Sequence, residues 1–306
     1  MAGVAFLGNS PWSVPSLQAL VRSSHEVALV ITHPPRPAGR GSRPSPTEVA
    51  DAARALGLRL LEAETVCSGP GLEALSKARP EFLAVVAYGE ILLREILDLP
   101  RRAAVNIHFS LLPKLRGAAP VQRALLEGIE VTGVSSMLMA EKLDSGDILL
   151  QRRAAIGAED DAGSLGARLA VVGAEVLVET LDRLSAGTLT PRAQAEAEAS
   201  FAPKIRGRGL DWSVDARLLV RLVRALSPEP GGSTAFREGT LKIFRAEVAE
   251  GSGEPGTVLG AGKDGFVVAA GTGAVRPLDV APAGRKHMSG ADFVRGYRIE
   301  PGERLT

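Results

Sequence analysis

Only one cysteine, Cys67, occurs in the 306 residues. No internal disulfide can form, and no thiolate cluster can hold a metal. A reducing compartment is the natural setting. Long apolar runs are also missing: none reaches the roughly 18 to 20 residues needed to span a membrane. The opening M-A-G-V-A-F-L-G has no positively charged lead and is too short for the core of a signal peptide. The expected location is therefore the cytoplasm. A large charge of one sign is absent as well, with a net of +1, although Phe201 onward holds 16 Lys and Arg against 12 Asp and Glu and the rest 20 against 23. This mild basic excess permits a phosphate-bearing partner without requiring one. Three familiar chemical signatures are missing too, G-x-x-x-x-G-K-[ST], H-E-x-x-H and G-x-S-x-G, and no G-x-G-x-x-G follows the first strand, where the loop reads G-N-S-P-W-S. Dinucleotide redox, P-loop phosphoryl transfer, zinc hydrolysis and serine hydrolysis of those types lose their support.

What is present is an ordinary globular composition, 45% apolar and 23% charged, in a chain long enough for two domains. Through about residue 185, short apolar runs alternate with helix-like stretches, the pattern of an open parallel sheet with crossover helices. V-A-F-L-G (4–8), V-A-L-V-I-T (27–32), L-R-L-L (58–61), E-F-L-A-V-V-A-Y-G (81–89) and G-V-S-S-M-L-M (133–139) read as strands. Helices are expected over 15–23, 90–99 and 163–184. A further helix is expected after residues 45–48, with Ser45 as cap and Pro46 at its first position. Residues 189–205 turn polar and lose their period, which suggests a linker. Beyond it one helix (215–226) precedes short, Gly-separated strands, as in a small β-barrel. The expected architecture is an α/β, doubly wound, Rossmann-like domain over 1–188 followed by a smaller OB-like barrel domain over 206–306.

The run N-I-H-F-S-L-L-P-K-L-R-G-A-A-P-V-Q begins at Asn106, directly after the apolar A-A-V. Alternation along a strand places Asn106 and His108 on one face. An imidazole oriented by a carboxylate can move a proton near neutral pH, and an Asn amide can donate to an oxyanion. Asp144, in L-D-S-G-D, is the candidate carboxylate. Without a Ser or Cys placed as in a triad, such a trio suits acyl transfer to a substrate amine. A satisfied polar strand end is the plain alternative. Leu111, Leu112 and Pro113 can plug the core or wall a flat ring. Trp12 and Tyr88 read as core. Residues 33–44, H-P-P-R-P-A-G-R-G-S-R-P, hold Arg36, Arg40 and Arg43 among Pro and Gly, either as a solvated loop or as a grip on phosphates.

Taken together, these segments resemble the folate-dependent formyltransferases, in particular the branch that formylates methionyl-tRNA. The resemblance covers nearly the whole chain. It rests on N-I-H-F-S-L-L-P-K-L-R-G-A-A-P-V-Q, T-G-V-S-S-M-L-M, L-D-S-G-D and P-P-R-P-A-G-R-G, and later on F-A-P-K-I, L-D-W-S and P-A-G-R-K-H-M-S-G-A-D-F. It implies Asn106, His108 and Asp144 as the catalytic trio. Ser110, Leu111, Leu112 and Pro113, with the turn at Tyr88 and Gly89, would contact tetrahydrofolate. Arg36, Arg40, Arg43, Lys204 and Arg206 would contact tRNA. The implied reaction moves the formyl group of 10-formyltetrahydrofolate to methionine on initiator tRNA, in a monomer, without a metal. Phe109 departs from the small residue expected there. Formyltransferases acting on sugar nucleotides or glycinamide ribotide would share the trio, and an inactive RNA-binding protein on the same scaffold is the alternative of another class.

Overall fold

In the computed structural model, residues 3–38 and 43–306 are described, with backbone alone for Ala38 and Arg43. The chain separates into two compact units, the first comprising 1–120, 131–155 and 166–202, the second 121–130, 156–165 and 203–306.

The first unit opens with β1 (Gly3–Gly8), α1 (Val14–Arg22) and β2 (Glu26–Thr32). A short hairpin follows, β3 (Arg36–Ala38) and β4 (Arg43–Ser45), then α2 (Glu48–Ala55) and β5 (Leu60–Glu62). Next come α3 (Gly69–Ala78), β6 (Phe82–Val86), α4 (Arg94–Leu97) and β7 (Ala103–His108). After α5 (Pro120–Glu127), whose body counts with the second unit, the chain returns through β8 (Val131–Leu138), β9 (Ile148–Ala155) and the long α6 (Ala162–Ser185).

The main sheet has the order β5-β2-β1-β6-β7-β8-β9. Its first five strands are parallel, and β6 is apolar and buried at every position, as a strand covered on both faces must be. The expectation of a wholly parallel sheet is corrected at one edge, where β8 and β9 run antiparallel. Two further readings change. The helix expected over 90–99 shrinks to four residues, because Leu93 stays extended. The cap of α2 is Thr47 rather than Ser45, with the Thr47 hydroxyl accepting from the Ala50 amide at 3.0 Å. Helix α6 lies close on the sheet because Gly166 leaves room for Trp12 and Gly173 for Ile107 and Phe109. Behind β8, the Ser136 and Thr180 hydroxyls meet at 2.7 Å and tie the sheet to α6.

In the second unit, Asp215 caps α7 (Ala216–Leu226), whose buried stripe includes Leu219, Val223 and Leu226. Then follow β10 (Gly232–Phe236), β11 (Gly239–Ala249), β12 (Val258–Gly262), β13 (Gly265–Ala269), β14 (Ala274–Pro282), β15 (Met288–Ser289) and α8 (Gly290–Tyr297). All strand pairings are antiparallel, in the order β10-β11-β14-β13-β12 with β15 beside β14. The final residues close the ring. Thr306 pairs with Ala235 of β10, while Glu303 bonds Val258 of β12. Inside are Phe236, Phe266 and Phe293, with ring centroids 5.2 to 5.3 Å apart where they touch.

Candidate active site

Strand β7 ends at the site, where a parallel sheet delivers side chains from several strands to one edge. His108, 5% exposed, brings its Nε2 to 2.8 Å from the Leu115 carbonyl. A carbonyl only accepts, so Nε2 carries the hydrogen. The other ring nitrogen, Nδ1, faces the Asp144 carboxylate at 3.7 Å. Both side chains are nearly buried, so the attraction between imidazole and carboxylate is little screened by solvent. Asp144 holds a left-handed backbone, φ 49°, and its Oδ2 accepts from the Gly117 amide at 2.7 Å. Gly117 itself has φ 127°, and a Cβ there would fall 2.8 Å from the Ala202 carbonyl, so the position requires glycine. Asn106 shares His108's face. Its half-buried amide has no hydrogen-bonding partner among the described residues.

The loop after β7 is fastened from beneath. The Ser110 hydroxyl donates to the Lys114 carbonyl at 2.6 Å. Ser135, opposite His108 in the register, donates to the Ser110 carbonyl at 2.7 Å and accepts from the Leu112 amide at 3.0 Å. Leu112 packs with Met137 and Ile148, the core-plug arrangement, whereas Leu111 lies against Gly133 and Leu111 and Pro113 stay half-exposed. Phe109 points to the opposite face, edge-on to Trp12 at 5.9 Å and against Gly173. Its bulk is therefore absorbed under α6, away from the trio.

At the end of β6, Tyr88 is 2% exposed and sits 5.3 Å from the His33 ring. Its hydroxyl lies beside Glu90 without a hydrogen bond of good geometry, and burial, then the Glu90 charge, push the phenol well above its usual range. Burial also lowers the His33 imidazole, helped by the Arg36 charge. Gly89 follows with φ 87°. Asn9, at the end of β1, donates to the Tyr88 carbonyl and accepts from the His33 amide at 2.7 Å. The ends of β1, β2 and β6 are thus joined.

The structure brings Asn106, His108 and Asp144 together, with residues 110–117 wrapped around them. It does not gather the cations in the same way. Arg36 is exposed and paired with Glu64 at 2.9 Å, and Lys204 and Arg206 are exposed in the segment entering the second unit. Arg40 and the side chain of Arg43 lie outside the described residues. Among those described, no group of three His, Cys, Asp or Glu could hold a metal, and no helix is long and apolar enough to cross a membrane.

Sequence reading missed the supports of this site. Arg116, 1% exposed, reaches Gln194 at 3.0 Å and Glu196 at 3.1 Å, and Ser200 accepts from the Leu115 amide at 2.9 Å. These partners lie in the polar stretch read as a linker, of which residues 189–202 count with the first unit. The alternation of polar residues with Ala in R-A-Q-A-E-A-E-A-S (192–200) did not reveal them, because the chain there makes a 3-10 turn at Glu196–Glu198 rather than an extended strand.

Residues 2–181 match the family described as formyl transferase, and residues 207–298 match the formyl transferase C-terminal domain. The chain belongs to the formyl transferase family, as its motifs indicated. Within that family, a methionyl-tRNA formyltransferase of Thermus thermophilus is 47% identical over 305 residues, covering 99% of this chain and 98% of the relative. Among solved structures, HypX from Aquifex aeolicus in complex with tetrahydrofolic acid covers 99% of this chain and 50% of its own, with TM-score 0.68 and 19% identity. Methionyl-tRNA formyltransferase from Clostridium thermocellum covers 81% and 93%, with TM-score 0.57 and 14% identity. At such identities these two likenesses concern the fold.

Proposed function

We propose that this enzyme transfers the formyl group of 10-formyltetrahydrofolate to the α-amino group of methionine on initiator tRNA, as a monomer in the cytoplasm. The observation that carries the reading is the convergence of an unengaged Asn106 amide with the His108–Asp144 pair at the end of β7. The donor supplies a formyl carbon activated by its nitrogen substituent. As the amine attacks, a C–N bond forms and the carbonyl oxygen becomes an oxyanion. The Asn106 amide donates to that oxygen, and the His108 imidazole adds positive charge beside it when protonated. The attacking nitrogen then loses a proton, the old C–N bond breaks, and the folate nitrogen gains a proton.

His108 and Asp144 are placed to manage those protons. Their 3.7 Å separation is just beyond a direct hydrogen bond, so a small shift joins them and a reacting group lying beside the pair can reach both. Nε2 stays engaged with the Leu115 carbonyl throughout, which fixes the ring. No second copy of the chain is needed to complete the trio. For the donor, we assign contacts to the loop at Ser110, Leu111, Leu112 and Pro113 and to the turn at Tyr88 and Gly89. The buried Ser110 hydroxyl and Leu112 side chain leave the backbone and the half-exposed Leu111 and Pro113 for that role. We assign the catalytic work to residues 1–188, the connection to 189–205 and tRNA binding to 206–306, with Arg36, Arg40, Arg43, Lys204 and Arg206 as cationic contacts.

Transfer of radiolabelled formyl from 10-formyltetrahydrofolate to initiator and elongator methionyl-tRNA tests the proposal. Labelling of the initiator is expected. Labelling of an amino sugar nucleotide instead, with neither tRNA modified, would overturn the assigned acceptor.

A further inference from the structure

We propose that Gln194 is a positioning residue for His108 and Asp144, an inference that rests on the catalytic reading of that pair. Asp144 has a left-handed backbone, φ 49°, which a non-glycine residue keeps only where its surroundings hold it. Gln194 supplies that hold. Its Nε2 donates to the Asp144 carbonyl at 2.9 Å and to the Gly146 carbonyl at 2.7 Å, gripping the turn on both sides of Ser145.

The same side chain reaches the other loop. Gln194 Oε1 accepts from Arg116 Nε at 3.0 Å. Arg116 stands between Leu115, whose carbonyl takes the His108 Nε2 hydrogen, and Gly117, whose amide donates to the Asp144 carboxylate. Its backbone is fixed as well, to Ser200 at 2.8 Å and Ala202 at 2.7 Å. One amide thus bridges the loop holding His108 and the turn carrying Asp144. Both of its hydrogens and its oxygen are engaged, and no other residue type of this length offers two donors and an acceptor in that order. If the bridge is lost, the carboxylate and the ring can drift independently. A misplacement of about 1 Å can reduce turnover by about a hundredfold.

Two substitutions separate this role from general packing. Gln194→Glu keeps the shape and the acceptor for Arg116 but replaces the donor facing two carbonyls with an oxygen. Gln194→Ala removes all three bonds. In the full-length enzyme, each is expected to lower kcat for formyl transfer by about 10- to 100-fold while both KM values stay within about twofold. Hydrogen exchange at the Gly117 amide should accelerate by about tenfold or more as its bond to Asp144 loosens. In an Asp144→Asn background, Gln194→Glu should add less than about a twofold loss, because it acts through that carboxylate. Full kcat in Gln194→Glu, or unchanged Gly117 protection in both variants, would overturn the proposal. If Asp144→Asn alone keeps its rate within about tenfold, the catalytic reading fails instead, and the exchange measurement still decides whether Gln194 holds the turn.

Discussion

The end of β7 and the interior of the second unit's barrel solve opposite problems. Around His108 the fold buries Ser110, Arg116 and Ser135, while the barrel core is built from residues such as Leu241, Ile243, Phe266 and Phe293. Trp212 and Thr234 form its internal polar contact, at 2.9 Å. Burying a polar group is costly unless it is hydrogen-bonded, so a cluster of them needs an extensive network. Near His108 most such groups are engaged; the exceptions are one buried nitrogen of Arg116, Nη2, and the half-buried amide of Asn106. Where a fold accepts that cost, the site is found; where it avoids it, the residues are there for stability.

The contrast can be broken at four points. Phe293→Ala should cost about 3 to 5 kcal/mol, read by chemical denaturation with Trp212 fluorescence in a Trp12→Phe background, and a loss below about 1 kcal/mol would deny the barrel a shared core. His108→Ala, or Asp144→Ala, should lower kcat by about a hundredfold or more, about 2.7 kcal/mol in barrier, without a matching loss of folded protein. A reduction under about tenfold would remove that residue from the chemistry. Trp212→Phe, which sacrifices the bond to Thr234, should cost about 1 kcal/mol of stability and leave single-turnover transfer unchanged.

The smallest effect concerns Glu196. Its hydrogen bond from Arg116 holds the carboxyl below its usual range. A folded value lower than the unfolded one means that this contribution is present above the unfolded carboxyl's value, about pH 4.3, and fades as pH falls through the folded value. The melting temperatures of wild type and Glu196→Gln should therefore differ above about pH 5 and converge in stronger acid. A constant difference across that range would refute the assignment.

Much of the site was legible because it depends on a period of two: Asn106 and His108 had to share a face, and the apolar run before them had to be a strand. Strands β1, β2, β5 and β6, helices α1, α6 and α7, and barrel strands β11 to β14 were readable for similar reasons, while β10 and β15 were not. Periodicity failed where tertiary contacts set the outcome. Residues 90–99 have helical spacing, yet Glu90 is engaged by Thr65 and the Val66 amide, and Ile91 and Leu93 remain exposed. The direction of β8 and β9 depends on how the chain crosses the sheet, which no local pattern encodes. Asp144 was recognisable by its chemical type, but the left-handed backbone that presents it was not.

The closure of the barrel has a consequence for how the second unit forms. Strand β10 pairs with β11 along one edge, but Ala235 must wait for Thr306, and Val258 for Glu303, so the ring closes only through residues at the far end of the unit. Pairings so distant in sequence give little reward until most of the unit is ordered, which slows folding. During synthesis, β10 emerges well before its closing partner, and its edge at Ala235 stays unpaired until Thr306 arrives. This unit, rather than the main sheet, is where newly made chains would be most exposed to mispairing with one another.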